Sequence, residues 1–228
     1  MMTKKNKQLM QRTLMTAGAG LHVRENAEGG QSRTITGYAI LFNTPSEVLY
    51  SDQTEEWREI ISPEAVTREV LDNSDIKFTM FHDRQLILAR SNKGKGTLSY
   101  QVDEKGVSFE FDAPETIDGD KALELVKRGD IAGCSFMFST YYFDPEYVEE
   151  SCETVDGVRK RTFTVKKVTG IYDMTLAADP AYSDTSCETR ELVTLVHQHE
   201  SEKKKLSEKA REQVRGMRRA ASAGICIK

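Results

Sequence analysis

Two stretches of strict alternation constrain this chain more than any other feature. Leu98, Tyr100 and Val102 alternate with polar residues, and so do Val107, Phe109 and Phe111. Glu104-Lys105-Gly106 lies between them as a turn. Successive side chains of an extended strand point to opposite faces, so a period of two on both sides of a turn describes two half-buried strands folded back as a hairpin. A lone hairpin is at best marginally stable in water, and its apolar face must lie on further strands or helices.

Partners for that hairpin are legible along the chain. Ile35, Tyr38 and Ile40 mark a first strand, and residues Ile76 to Phe81 read as another that delivers His82 near its end. Ser62-Pro63 predicts the start of a short helix reaching about Asp72, with serine capping free amides and proline fitting the first turn. Between Asp120 and Arg128, Ala122, Leu125 and Val126 share one helical face, and Gly129 supplies a stop. Asp156-Gly157 turns between two further strands, and Gly170 to Ala178 forms the last, ended by Pro180. Many short strands with interspersed helices predict a mainly β fold of the α+β kind, a closed or nearly closed β-barrel flanked by α-helices.

Composition divides the 228 residues into three parts. Residues 1–31, rich in Lys, Gln, Gly and Asn, read as a flexible leader, and residues 32–196 as the folded domain. Residues 197–228 read as a basic helical tail: Ser201 to Ala221 holds eight Lys or Arg against three Glu, with Leu206, Ala210, Val214 and Met217 at helical spacing. The tail is either a solvated basic helix or a functional appendage. A net charge of −4 gives no global attraction to nucleic acid, and the tail lacks interleaved aromatics. The four cysteines show no Cys-x-x-Cys spacing, no secretory signal is evident, and no run approaches the roughly 20 apolar residues of a membrane helix. A soluble intracellular protein with reduced thiols is expected, with no membrane partner.

Chemistry is suggested by three residues in distinctive settings: His82 in Phe81-His82-Asp83, Ser135 in Gly133-Cys134-Ser135-Phe136-Met137-Phe138, and Asp173 in Tyr172-Asp173-Met174-Thr175. A serine hydroxyl is weakly nucleophilic until a base takes its proton, and a histidine oriented by a third group is the commonest base. Each residue also has a plainer reading. His82 could cap a strand or pair with Asp83, and Ser135 could be a small core residue. Cys134 is a competing nucleophile, but strand neighbours face opposite ways, so Cys134 and Ser135 cannot both face His82. The same divergence separates Asp83 from His82 and favours Asp173 as the third member. Arg90 is either an oxyanion partner or one half of a surface ion pair. Gly133 either admits substrate closely or makes a tight strand contact.

The order of these motifs resembles the prohead, or capsid maturation, proteases of tailed bacteriophages. The resembling segments are Thr36-Gly37-Tyr38-Ala39-Ile40-Leu41-Phe42-Asn43, then Glu59 to Ala65, then the histidine strand with Ala89-Arg90 after it. They continue through the hairpin and Lys127-Arg128-Gly129-Asp130, the Gly-x-Ser-Phe-x-Phe strand, and Tyr172-Asp173-Met174-Thr175 with Asp179-Pro180-Ala181-Tyr182-Ser183-Asp184-Thr185. The similarity spans about residues 33 to 190. Asp173 stands where the family more often has Glu, and Ala89 where it has Gly. The resemblance implies a fold like that of herpesvirus assembly proteases, with Ser135 and His82 on neighbouring strands. It implies a serine endopeptidase without metal or organic cofactor, acting through His82, Ser135 and Asp173, with Ser135 rather than Cys134 as nucleophile. Implied partners are the scaffolding protein, the major capsid protein and other copies of the chain, met in the host cytoplasm inside the immature procapsid. The tail then becomes a candidate for capsid targeting or self-cleavage. The second class left open is a catalytically inactive scaffold or adaptor of the same fold.

Overall fold

The computed structural model describes residues 9–16, 18–25, 32–178 and 187–222. The alternating hairpin forms as expected, from β9 (Ser99–Val102) and β10 (Gly106–Asp112). Its turn is closed by the Asp103 carboxylate, which accepts the backbone N–H groups of Lys105 and Gly106 at 2.8 and 2.9 Å. Val107, Phe109 and Phe111 are buried, whereas Val102 on the outer strand is exposed. Antiparallel pairing continues to β3 (Thr34–Leu41) and β2 (His22–Val23), giving a sheet ordered β2-β3-β10-β9.

The largest sheet has six strands, in the order β1 (Leu9–Thr16), β11 (Gly133–Tyr141), β14 (Gly170–Ala177), β6 (Asp75–Met80), β7 (Asp83–Asn92) and β8 (Lys95–Gly96). β14 and β6 run parallel, and the other neighbours are antiparallel. A third sheet joins β12 (Val148–Val155), β13 (Val158–Val165), β5 (Glu55–Ile61) and β4 (Tyr50–Ser51), with β13 and β5 parallel. The β12–β13 hairpin turns through Asp156 and Gly157, both at positive φ as a two-residue turn of this kind requires. Aromatic packing welds the first two sheets, because the Phe78 ring on β6 lies 4.4 Å from that of Phe109 and 4.6 Å from that of Phe111.

Of the closed or nearly closed barrel expected, the closed form is not what the hydrogen bonding builds. Among the described residues each sheet keeps two edges, and three of those edges are the two-residue strands β2, β4 and β8. Such short strands end a sheet before its ladder can close. The mainly β character with helices stands.

Residues 1–31, read from sequence as a flexible leader, contain a strand that pairs with β11 from Cys134 to Tyr141. β1 turns Met10, Arg12, Leu14 and Thr16 inward and buries all four. Two of these four core positions are polar, which hides the alternation from a reading by hydrophobicity. Both side chains find partners inside: Arg12 Nε donates to Glu59 at 3.2 Å, and Thr16 Oγ1 to the Ala39 carbonyl at 2.7 Å.

Helix α1 (Arg68–Asn73) begins later than the Ser62-Pro63 signal predicts. Ser62 instead opens a turn in which its carbonyl accepts the Ala65 N–H, burying Ala65 and Val66, and Thr67 becomes the cap of Val70. α2 (Ile117–Arg128) fits its expectation with an earlier start: Thr116 caps Gly119, and Gly129 ends the helix at φ 77°. The chain divides into two units, Met1–Ser186 and Cys187–Lys228. The second contains α3 (Cys187–Ser222), ten residues longer at its start than the expected tail, with Leu206, Val214 and Met217 exposed. Pro180 and the Pro-Ala-Tyr segment fall outside the described residues.

Burial of the Arg12–Glu59 pair makes β1 part of the fold. Arg12→Ala strands the Glu59 carboxylate, so we expect a loss of about 3–5 kcal/mol in denaturant unfolding. Arg12→Met with Glu59→Leu removes both charges and should cost far less.

Candidate active site

β14 lies between the strand of Ser135 and the strand that leads to His82, so the expectation of neighbouring strands is corrected by one strand. Cross-strand register aligns Met15, Ser135, Thr175 and Thr79 in one row on β1, β11, β14 and β6. Asp173, two residues before Thr175, shares its face. Tyr172 is the extra residue of a β-bulge, since Met137 pairs with Asp173 and Phe138 with Ile171.

His82 reaches this row from a turn rather than from a strand. Met80 pairs directly with Asp83, leaving Phe81 and His82 as a two-residue connection with φ of 57° and 58°. Two successive positive φ values match a type I′ hairpin turn, whose usual occupants are Asn and Gly. A phenylalanine and a histidine there carry strain of about 1–3 kcal/mol each. The turn is held by two hydrogen bonds into β14: Phe81 N–H to the Leu176 carbonyl and His82 N–H to Thr175 Oγ1, both at 3.0 Å.

The turn brings the three suspected residues together. His82 Nε2 lies 2.8 Å from Ser135 Oγ, and His82 Nδ1 lies 2.5 Å from Asp173 Oδ2. A carboxylate can only accept, so Nδ1 carries a proton toward Asp173 and, in a neutral ring, Nε2 offers its lone pair to the serine. Ser135 Oγ has a second contact, 2.9 Å from the Leu14 carbonyl of β1, and the residue is 0% exposed. The imidazole is the opening to solvent, with 29% of its side chain accessible.

The other candidates fall apart from this cluster. Cys134 faces the opposite side of β11 and is fully buried, and that burial pushes its thiol well above the usual cysteine range. It is a core residue in a setting that opposes thiolate formation. Asp83 is exposed and accepts from the Gln85 N–H at 2.8 Å. Arg90 takes its ion-pair alternative: Nε and Nη2 donate to the two Asp75 carboxylate oxygens at 2.7 and 2.8 Å, at the end of β6 remote from His82. The Arg90 guanidinium, helped by Lys77, holds the Asp75 carboxyl at about 2. Gly133 does not make the tight strand contact, because a Cβ there would meet Ala177 O at 3.5 Å and the Met15 methyl at 3.7 Å, ordinary packing distances.

Sequence reasoning missed Thr79, Thr175 and Leu14. Thr175 carried a usable signal, since a spacing of two from Asp173 places both on one strand face. Leu14 acts through its backbone, and nothing in a side chain announces that.

A serine, a histidine and a carboxylate joined in this way have the geometry that serine-based peptide hydrolysis uses. A family model described as caudovirus prohead serine protease matches residues 20–201, and the chain belongs to that family. The match begins and ends beyond the span from 33 to 190 that the motifs outline. Among solved structures, the capsid assembly protease of bacteriophage T4 is similar at 12% identity and a TM-score of 0.36, covering 75% of this chain and 99% of that one. No curated protein matches. No helix among the described residues is long and apolar enough to cross a membrane.

Native alkylation separates the two neighbouring nucleophile candidates. With iodoacetamide at pH 8, exposed Cys152 should be modified while buried Cys134 remains free. Peptide mass mapping reads both, and comparable modification of Cys134 would contradict its placement in the core.

Proposed function

We propose that this chain is an endopeptidase that matures the phage prohead, with Ser135 as nucleophile, His82 as general base and acid, and Asp173 as the group that orients the imidazole. The observation that supports it is the unbroken line of hydrogen bonds from Asp173 through both ring nitrogens of His82 to Ser135. Ser135 Oγ attacks the scissile carbonyl carbon as its proton passes to Nε2. The tetrahedral intermediate collapses, the C–N bond breaks, and the leaving amine takes that proton. Water then repeats the sequence on the acyl-enzyme and releases Ser135. Asp173 stabilises the imidazolium formed in each half. No step calls for a metal or an organic cofactor.

Backbone amides are the proposed oxyanion donors, since the Arg90 side chain is committed to Asp75. Gly133 is the proposed point of close substrate approach, two residues from Ser135 on the same strand face. The proposed substrates are the scaffolding protein or the scaffold-like part of the major capsid protein, and the chain itself, met inside the immature procapsid. Family membership supports this choice. A herpesvirus-protease-like architecture belongs to the same proposal and is supported by the order of the motifs.

Co-expression with the phage's capsid and scaffolding proteins tests the chemistry. Mass spectrometry should find trimmed products with the wild-type chain and none with Ser135→Ala, whose circular dichroism should remain native. Processing that survives Ser135→Ala but not Cys134→Ala would overturn the assignment. Asp173→Asn should slow single-turnover cleavage by less than the factor of about 10⁴ seen in the chymotrypsin-type triad, and Asp83→Asn should leave it unchanged.

The exposed basic part of α3 suits capsid targeting. Truncation after Val196 should preserve cleavage and reduce co-sedimentation with assembled procapsids, whereas unchanged incorporation would make the tail a solvated helix.

A further inference from the structure

Two threonine hydroxyls stand between the Asp173 carboxylate and the His82 backbone, and the triad chemistry uses neither. Thr79 Oγ1 lies 3.0 Å from Asp173 Oδ1 and 2.9 Å from Thr175 Oγ1. Thr175 Oγ1 in turn accepts the His82 backbone N–H at 3.0 Å. Both threonines are fully buried.

Their protons admit one good arrangement. A hydroxyl donates a single proton and a carboxylate only accepts, so Thr79 donates to Asp173 and accepts from Thr175. The other acceptor within reach of Thr175, the Leu176 carbonyl, is 3.5 Å away and poorly placed. The bonds therefore run from His82 N–H to Thr175, from Thr175 to Thr79 and from Thr79 to Asp173. The second carboxylate oxygen closes the circuit by accepting His82 Nδ1–H at 2.5 Å. It begins and ends on one residue. Valine would fill either threonine site with nearly the same shape and no hydroxyl to desolvate, so packing alone does not account for the pair.

The circuit also acts where the backbone is strained. His82 at φ 58° lacks the conformational ease of a glycine, and its N–H bond to Thr175 is one of the two ties that hold the turn against β14. The same hydroxyl network sets the angle of the carboxylate that receives Nδ1–H. Backbone and ring of His82 are thus located from one source.

We propose that Thr79 and Thr175 are positioning residues that fix the tautomer and orientation of His82, keeping the proton on Nδ1 and the lone pair of Nε2 on Ser135. The proposal rests on the triad reading given above. A displacement of about 1 Å at such a site lowers reactivity by about 10²-fold.

A biotinylated fluorophosphonate tests this on the full chain without a known substrate. Ser135 Oγ forms a P–O bond, fluoride leaves, and the hydroxyl proton passes to His82. We expect Thr79→Val and Thr175→Val to label about 10²-fold more slowly than wild type, and Thr79→Ser and Thr175→Ser to recover most of the rate. In ¹⁵N-histidine spectra, with His82 assigned by its loss in His82→Gln, the valine variants should move proton occupancy from Nδ1 toward Nε2, which a purely structural role would not do. Valine variants that fold, label at the wild-type rate and keep the wild-type tautomer overturn the proposal. Should a valine variant fail to fold, equal labelling of Thr175→Ser and Thr175→Ala overturns it instead. Labelling that persists in Ser135→Ala, or is absent from the wild-type chain, overturns the triad reading and the circuit with it. Labelling lost in Ser135→Ala but normal in valine variants that keep the wild-type tautomer overturns the circuit alone.

Discussion

The pairing of β14 with β11 on one side and with β6 on the other sets the distances on which the site depends. Adjacent strands lie about 4.8 Å apart, so two steps separate the backbones of Ser135 and Thr79 by roughly 10 Å. The His82 imidazole, folded back from the β6–β7 turn, crosses that gap. Asp173 and Thr175 stand on the strand in the middle, where the first meets the imidazole and the second the His82 backbone N–H. A shift of β14 by one residue would turn both to the opposite face. The bulge at Tyr172 and the Phe78, Phe109 and Phe111 cluster bear on this register, the first by adjusting which residue of β14 faces Met137, the second by anchoring β6.

β1 adds a constraint of a different kind. Ser135 Oγ has one proton and two acceptors, His82 Nε2 at 2.8 Å and the Leu14 carbonyl at 2.9 Å. Donation to Leu14 leaves the base disengaged, and donation to His82 begins the proposed chemistry. With Ser135 closed from solvent, the strand at the edge of the sheet also contacts the hydroxyl proposed as nucleophile.

Period-two patterning made the β9–β10 hairpin legible, the Asp156-Gly157 turn signal did the same for β12–β13, and capping chemistry made the end of α2 legible. His82, Ser135 and Asp173 were singled out by residue type and local setting, and the structure brings those three together. What escaped reading depended on partners remote in sequence. Arg12 looks like a solvated charge until Glu59, 47 residues on, is seen beside it in the core. The turn at Phe81-His82 contains neither Asn nor Gly, so no composition rule predicts its left-handed backbone. Arg90 met Asp75 instead of the site because strand register, invisible in one sequence, decides which side chains share an end of a sheet. The barrel failed to close for the same reason: strand count was readable, strand length and edge position were not.

The order in which the sheet is assembled differs from the order in which it is made. Thr79 and Thr175 are 96 residues apart and become lateral neighbours. At a synthesis rate of about 5–20 residues per second, that separation is roughly 5–20 s of translation. Throughout that interval the histidine turn and, later, the serine strand have left the ribosome without the strand that belongs between them. The geometry joining them therefore arises only when the domain is nearly complete, and a truncated or stalled chain carries the parts of the site without its arrangement.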